Sequence, residues 1–340
     1  MIRTLSTSRQ WRLAARPAGK IRKSDFELVE VPVPESCDGQ FVVAVTHISL
    51  YPAMRGWMNA GRSYIPPVRV GEVMRALALG RVIDSRNDQF AVGELVHGTF
   101  GVSEYALSDG VGVHKISPAE GISPSAYLGV LGMTGMTAYF GLLDVGHLQP
   151  GETVLVSGAA GAVGTVVGQV AKIKGANVIG VAGGTEKCYM LTNELGFDWA
   201  VDHKHDDLKD QLRRHTPDRV DVFFDNVGGE ILNQGLTRLA RGARVVICGA
   251  VSQYNNVDAV TGPSNYIELL VARASMTGFV VFDYAHRYPE AVAEMSRWLS
   301  DGRLRSIEDT VRGDIDAFPG VLERLFTGEN TGKLVLELQQ

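Results

Sequence analysis

Thr153-Val-Leu-Val-Ser157, running into Gly158-Ala-Ala-Gly-Ala-Val-Gly164, decides how this chain of 340 residues is read. Four apolar or β-branched residues and a serine, stopped by glycine, make a short buried strand. A helix-length segment follows from about Val163 to Lys174, then a second β-branched run, Asn177-Val-Ile-Gly-Val181. Fitted to G-x-G-x-x-G, the first position is Ala159, the second Gly161 and the third Gly164. Glycine at the second position lets a pyrophosphate approach the main chain, and at the third it lets the helix pack against the strand. The N–H groups of Ala160, Gly161, Ala162, Val163 and Gly164, together with the helix dipole, then hold phosphate oxygens. A tight βα turn without ligand uses the same glycines, so the strand–helix–strand setting carries the argument.

Toward the C-terminus the same rhythm repeats. Glu186 to Leu195 reads as a helix, Trp199-Ala-Val-Asp202 as a short strand and Asp206 to His215 as a polar helix. Val220 to Asp225 and Arg244 to Cys248 continue the pattern, and Met276-Thr-Gly-Phe-Val-Val281 is the last clear strand of the series. Strand–helix alternation predicts an α/β unit with a doubly wound parallel sheet covered on both faces. Toward the N-terminus the rhythm is lost. Phe41 to Val45, Phe90 to His97 and Glu104 to Leu107 look like strands, while Pro32, Pro34, Pro52, Pro66 and Pro67 exclude long helices. A partial β-barrel is expected over residues 1–125, completed by 301–340 through the alternating run Lys333-Leu-Val-Leu-Glu-Leu338. The dinucleotide domain is expected over 126–300.

Composition narrows the function. Lys and Arg total 33 against 38 Asp and Glu, a net charge of −5, so nucleic acid and anionic membrane are poor partners. Cys37, Cys188 and Cys248 are scattered and form no CxxC pair, which argues against a disulfide framework or a cysteine zinc cluster and for a reducing cytoplasm. Arg3, Arg9, Arg12 and Arg16 precede the first acid, Asp25, and faintly resemble a transit peptide; a basic first strand is the simpler reading. Ser125 to Leu143 and Val154 to Ala171 lack charge, but both are full of Gly, Ser and Thr and fall short of the roughly 20 strongly apolar residues of a membrane span.

An NAD site offers an acid at the end of the second strand for the ribose hydroxyl. Here that strand ends in Val181-Ala-Gly-Gly-Thr-Glu-Lys187. Gly183 leaves room for a 2′-phosphate and Lys187 supplies a cation on the first helical turn, which favours NADP, with Glu186 the competing residue. No HExxH, no Cys-His cluster and no G-x-S-x-G elbow occurs in the chain. A reductase with these residues would activate its substrate by hydrogen bonds from a tyrosine or the cofactor ribose.

These features occur in a telling order. The proline-rich β region precedes Gly158–Gly164 and Lys187, then come Asp225-Asn-Val-Gly-Gly229, Cys248-Gly-Ala-Val-Ser-Gln-Tyr-Asn255 and Asn330-Thr-Gly-Lys333. From about Trp11 onward the chain resembles the medium-chain dehydrogenase/reductase superfamily, and within it the zinc-independent double-bond reductases: prostaglandin, 2-alkenal and bacterial curcumin reductases. Leu131-Gly-Met-Thr-Gly-Met-Thr-Ala-Tyr-Phe-Gly-Leu142 is similar to that family's lead into the cofactor domain. The resemblance implies a GroES-like partial barrel joined to a Rossmann domain, NADPH as cofactor, and hydride transfer to the C=C bond of an α,β-unsaturated ketone or aldehyde. It gives Tyr254 enolate stabilisation and Lys187 the 2′-phosphate. Asn226, Asn330 and Gly249 fall to the cofactor, Met133 and Thr137 to the nicotinamide side, and Phe279 to Val281 to a strand end facing that ring. It also implies a homodimer joined through the cofactor domains, near 275–281.

Departures bear on the substrate. The family's Asp-Pro-Tyr-Met-Arg-Gly is here Tyr51-Pro-Ala-Met-Arg-Gly56, and its following glycine-rich run is Gly71-Glu-Val-Met-Arg-Ala-Leu-Ala-Leu-Gly80. Where many members carry a tyrosine near the adenosine phosphate, this chain has His203. Tyr51, Arg55 and Tyr64 are the candidates for the substrate pocket. Two other readings stay open: a quinone or carbonyl reductase on the same fold, and a non-catalytic NADPH-binding protein.

Overall fold

The structure, a computed structural model, describes residues 7–118, 120–205, 207–256 and 260–339. It divides into two compact units. One comprises the described residues up to Leu128 with Asp309–Glu329 and the stretch from Leu334; the other comprises Gly129–Glu308 and Asn330–Lys333.

In the first unit, β1 (Thr7–Leu13) pairs antiparallel with β2 (Phe26–Pro32) along its whole length. β3 (Phe41–Ser49) is the central strand, apolar and almost entirely buried. Its antiparallel neighbour β4 (Ala78–Ser85) comes so close that a Cβ on Gly80 would lie 2.4 Å from the Ala44 carbonyl oxygen. Between them lies a single short helix, α1 (Ala53–Trp57). β5 (Leu95–Gly98), β6 (Tyr105–Ser108) and β7 (His114–Lys115) extend this sheet, β6 pairing with β3. The expected strand from Phe90 shrinks to β5 because Gly93 takes φ +91° and turns the chain just before it.

The second unit holds a six-stranded parallel sheet. After α2 (Met133–Phe140) come β8 (Thr153–Ser157), α3 (Gly164–Ile173), β9 (Asn177–Ala182), α4 (Thr185–Asn193) and β10 (Trp199–Asp202). α5 (Leu208–His215) is capped by the Asp207 carboxylate, which accepts from the Asp210 amide; Asp206, expected in this helix, lies outside the described residues. β11 (Val220–Asp225), α6 (Gly229–Leu236), β12 (Leu239–Ile247), α7 (Ile267–Ala272), β13 (Ser275–Gly278) and α8 (Tyr288–Ser300) complete it. The spatial order is β10-β9-β8-β11-β12-β13. Strand order therefore reverses between β8 and β11, the place where open α/β sheets bind ligands beyond their carboxyl ends. The interior strands are buried on both faces, as helices on both sides require. β13 stops at Gly278, three residues before the expected Val281, because a 3-10 helix takes over at Val281.

The chain then returns to the first unit as β14 (Glu308–Gly313), α9 (Phe318–Thr327) and β15 (Lys333–Leu338), and β15 pairs antiparallel with β3. The return is interrupted: Asn330–Lys333 belongs with the second unit, a detail the expected boundary at 301 does not contain.

Candidate functional site

Between β8 and α3 the chain makes the turn that the glycines demand. Gly158, not Ala159, supplies the left-handed residue, at φ +57°. The Gly161 amide donates to Gly158 O at 3.0 Å and closes the turn. A Cβ on Gly164 would lie 2.3 Å from that same carbonyl, so only glycine lets α3 start here. A Cβ on Gly161 would be 3.2 Å from it, with nothing else within 4 Å. One side of the turn is lined by the late segment: the Gly332 amide donates to Ala160 O at 2.7 Å, and Gly332 bridges to Gly161 in parallel. The result is a helix N-terminus faced by main chain, which fits a diphosphate.

Across the switch point, Asp225 ends β11 fully buried and ties the two strand ends together. Ser157 donates its hydroxyl to Asp225 Oδ1 at 2.6 Å, and the Gly228 amide donates to Oδ2 at 3.0 Å. Burial raises this carboxyl above its usual value, the Ser157 hydroxyl and the Gly228 and Val227 amides partly offsetting it. Asn226 is held beside it: its amide donates to Ser157 Oγ at 2.8 Å and its side-chain Nδ2 to Ser157 O at 2.7 Å. Next along the sheet, burial lifts the Cys248 thiol to about 12, with Asp225 adding to the rise.

The end of β9 carries no acid. Gly183 follows it, and a Cβ there would meet Lys204 Cε at 2.9 Å and His203 Nε2 at 3.0 Å. Burial lowers the His203 imidazole, Asp202 opposes the fall, and Lys204 and Lys187 add to it. Lys187 reaches from the first turn of α4 to donate to Asn330 O at 2.6 Å. Asp202 is spent on the loop itself, accepting from the Gly184 amide at 2.8 Å and the Lys204 amide at 3.1 Å and pairing with His205. Burial works against its charge, but these partners hold it below the usual carboxylate range. His203 and Lys204 thus crowd Gly183, Lys187 lies near His203, and Asp202 is occupied by the loop. That arrangement suits a dianionic phosphate. Lys204 went unnoticed in the sequence, where it reads as one charge among the polar residues after Asp202; its signal was its place one residue beyond His203.

The remaining candidates lie around the same strand ends. Tyr254 follows a 3-10 turn over Val251–Gln253; its hydroxyl accepts from the Ala250 amide at 3.3 Å and sits 2.9 Å from where a Cβ on Gly249 would be. Met133 and Thr137 are one turn apart at the start of α2, joined by the Thr137 hydroxyl donating to Met133 O at 2.7 Å. Phe279 and Val281 flank the end of β13. The Phe279 ring packs on Phe224 and on Gly141, where a Cβ would meet it at 2.6 Å. A cavity of about 550 Å³ is lined by Gly228, Gly229, Gly249, Ala250 and, on β13, Met276.

In the first unit the three pocket candidates part company. Arg55 is buried and spent on the main chain: Nη2 donates to Pro17 O and Gly19 O at 3.1 Å, and Nη1 to Asn59 Oδ1 at 2.6 Å. This is the work of a structural anchor. Tyr51 is buried beside Trp57, and burial raises its phenol above its ordinary value against the pull of Ser49. Tyr64 is exposed, and its hydroxyl accepts from Trp57 Nε1 at 3.4 Å.

Residues 9–116 match the family model of the N-terminal domain of oxidoreductases, and residues 162–297 that of the zinc-binding dehydrogenases. The NADPH-dependent curcumin reductase of Escherichia coli is 39% identical, aligned over 97% of each chain. The chain belongs to the double-bond reductase branch of the medium-chain dehydrogenase/reductases. Other similar proteins extend the likeness. The putative NADP-dependent oxidoreductase YfmJ of Bacillus subtilis is 40% identical over 98% of both chains. The crystal structure of CurA from Vibrio vulnificus in complex with NADPH superposes with a TM-score of 0.92 at 39% identity, covering 98% of this chain and 99% of that one. Among the described residues, no group of three or more His, Cys, Asp or Glu could hold a metal ion. No helix among them is long and apolar enough to cross a membrane.

Proposed function

We propose that this protein is an NADPH-dependent reductase of α,β-unsaturated ketones or aldehydes. The observation that supports the cofactor choice best is the pair His203 and Lys204 against Gly183, with Lys187 near His203 and no carboxylate at the end of β9 to meet a ribose hydroxyl. NADPH, when bound, supplies the hydride for the β-carbon of the substrate. Gly161 to Gly164 hold the diphosphate, with Ala160, Ala162 and Val163 completing the turn. Asn226, Gly249 and Asn330 bind the rest of the dinucleotide from the ends of the strands and the late segment. Met133, Thr137 and the main chain of Phe279 to Val281 line the nicotinamide side.

Tyr254 stabilises the negative charge that develops on the carbonyl oxygen. Its hydroxyl accepts from the Ala250 amide, and a phenol that accepts one hydrogen bond donates a stronger one. The same O–H can deliver the proton to the α-carbon. A homodimer through β13 belongs to this reading: all four of its residues are exposed, it is the sheet's outer strand, and Ile267, Leu270, Val271 and Phe282 expose apolar surface around it. So does a cytoplasmic setting, which rests on three scattered cysteines.

The test is NADPH oxidation measured in parallel with an enone, a quinone and a saturated aldehyde. Turnover of the enone with the saturated ketone as product supports the reading. Turnover of the quinone or the aldehyde alone replaces it with the other oxidoreductase chemistry of this fold. Tight NADPH binding with no oxidation by any of them makes the protein a binder and not an enzyme.

A further inference from the structure

Half-buried arginines elsewhere in the second unit are neutralised: Glu152 takes Arg244 at 2.5 Å, and Asp144 takes Arg287. Arg238, just ahead of β12, is different. It is half-buried and holds Thr216, Nε donating to Oγ1 at 2.8 Å and Nη2 to the main-chain oxygen at 2.6 Å. Both charges that act on it are positive, the exposed Arg219 and Arg213. Burial lowers its guanidinium from the ordinary value, and these two neighbours add to the fall. Among the described residues none of the three arginines pairs with a carboxylate. Arg219 donates from Nη1 to Thr237 O at 3.3 Å, and it does so from a left-handed backbone, φ +71°, where glycine would sit without strain. Three like charges are thus gathered against their own repulsion, one of them on strained main chain.

The cluster has an aromatic neighbour. Thr216 directly follows His215, the last residue of α5, and the His215 ring stacks on Trp199 with 4.5 Å between centroids and 29° between planes. Trp199 remains 53% exposed, so its ring still offers a surface to stack on. Trp199 opens β10, Arg219 precedes β11 and Arg238 precedes β12. In a parallel sheet these positions share the amino ends of the strands. The Gly158–Gly164 turn lies at the carboxyl ends, one strand length away, roughly 17–20 Å. The two places are therefore separate.

We propose that the amino end of this sheet binds a nucleoside polyphosphate, its phosphates on Arg213, Arg219 and Arg238 and its base on Trp199. The site goes beyond the reductase reading and stands apart from the dinucleotide. Guanidinium groups meet phosphate oxygens in a planar, charge-assisted fork. An indole accepts any base by its π-face. The chain's net charge of −5 works against a long polyanion, whereas three gathered cations match a short one.

The experiment is calorimetric titration of the protein saturated with NADP⁺, with ATP and tripolyphosphate as probes and no divalent metal. ATP binds one to one, more weakly as ionic strength rises. Tripolyphosphate binds roughly five- to hundredfold more weakly than ATP, the share of the stacked base. Trp199→Ala removes that difference. Arg213→Ser and Arg219→Gly each weaken ATP about tenfold, the worth of a charge-assisted contact. Arg219→Gly also relieves the left-handed strain, so its Tm holds or rises while its affinity falls, a pairing that damage to the fold does not produce. Arg238 is left in place because it also holds Thr216. No binding of ATP to the NADP⁺-loaded protein overturns the site, as does tripolyphosphate binding as tightly as ATP. So does an ATP affinity unchanged in Arg219→Gly. ATP binding that vanishes as NADP⁺ is raised means competition at the Gly158–Gly164 turn, and overturns it as well.

Discussion

A methyl group added at Gly164 tests the cradle directly. The new Cβ would lie 2.3 Å from Gly158 O, 2.7 Å from Ala159 Cα and 2.9 Å from the Ala159 carbonyl carbon. All three are main-chain atoms, so no side chain can swing aside. Ordinary contact begins at 3.4 Å, so α3 and the turn before it must separate by about 1 Å. Overpacking of this kind costs about 1–3 kcal/mol, a fall of a few degrees in Tm for a chain of this size. The same displacement carries the amides of 161–164 away from the diphosphate. Loss of one charge-assisted hydrogen bond is worth about 1.5–3 kcal/mol, or roughly ten- to hundredfold in Kd for NADPH. Fluorescence titration with NADPH and thermal unfolding measure both effects. Gly320→Ala is the control: it sits inside α9 with nothing within 4 Å of the added Cβ, and helix propensity gives it a gain of about 0.5–1 kcal/mol. A Gly164→Ala protein with the wild-type Tm and NADPH affinity would refute the proposed steric demand and the phosphate site built on it.

Three further outcomes are expected. Lys187→Ala weakens NADPH about ten- to hundredfold and NADH much less; equal weakening of the two in a binding titration means that Lys187 serves only to hold Asn330 O. Tyr254→Phe lowers kcat for an enone by about two orders of magnitude with little change in NADPH affinity; unchanged turnover removes its role. His97 has a buried Nε2 with no hydrogen-bond partner, faces Leu79 and His114 across its two strand pairings, and is lowered to about 4 by burial, with His114 adding to the fall. Because the folded pKa lies below the unfolded one, its contribution is intact above about pH 6.5 and is lost as pH falls toward 4. Between pH 7.5 and pH 5 this amounts to about 2 kcal/mol of stability, which His97→Leu removes from the pH dependence; parallel denaturation curves for the two proteins across that range contradict the assignment.

The parallel sheet was legible because its strands are buried on both faces and therefore written as unbroken apolar runs, as in Thr153–Ser157 and Val220–Asp225. Gly164 was legible for a steric reason that leaves no alternative residue. Other features are invisible in one dimension. The left-handed residue of the turn is Gly158, where a pattern count places Ala159, because conformation and not spacing selects it. Arg55 looked like a pocket residue, since an arginine beside a departure from the family motif invites that inference; only its three carbonyl and amide acceptors reveal an anchor. Lys204 and the Ser157–Asp225 pair are assembled from separate strands, and β13 is too short and too exposed to betray its own end. The bridge from Gly332 to Gly161 joins residues far apart in the chain, and nothing local to either announces it.

The split course of the chain has a consequence for biosynthesis. Trp11 donates its indole N–H to Ile315 O at 2.8 Å, and β3 takes its last partner from β15. The β-rich unit cannot close until residues beyond 330 have left the ribosome, whereas most of the nucleotide-binding sheet can assemble as it emerges. At about 5–20 residues per second, the N-terminal strands wait on the order of ten to fifty seconds with an open edge. Residues 330–333 also complete the turn at 160–161, so the last stretch of the chain seals the barrel and the nucleotide-binding turn together.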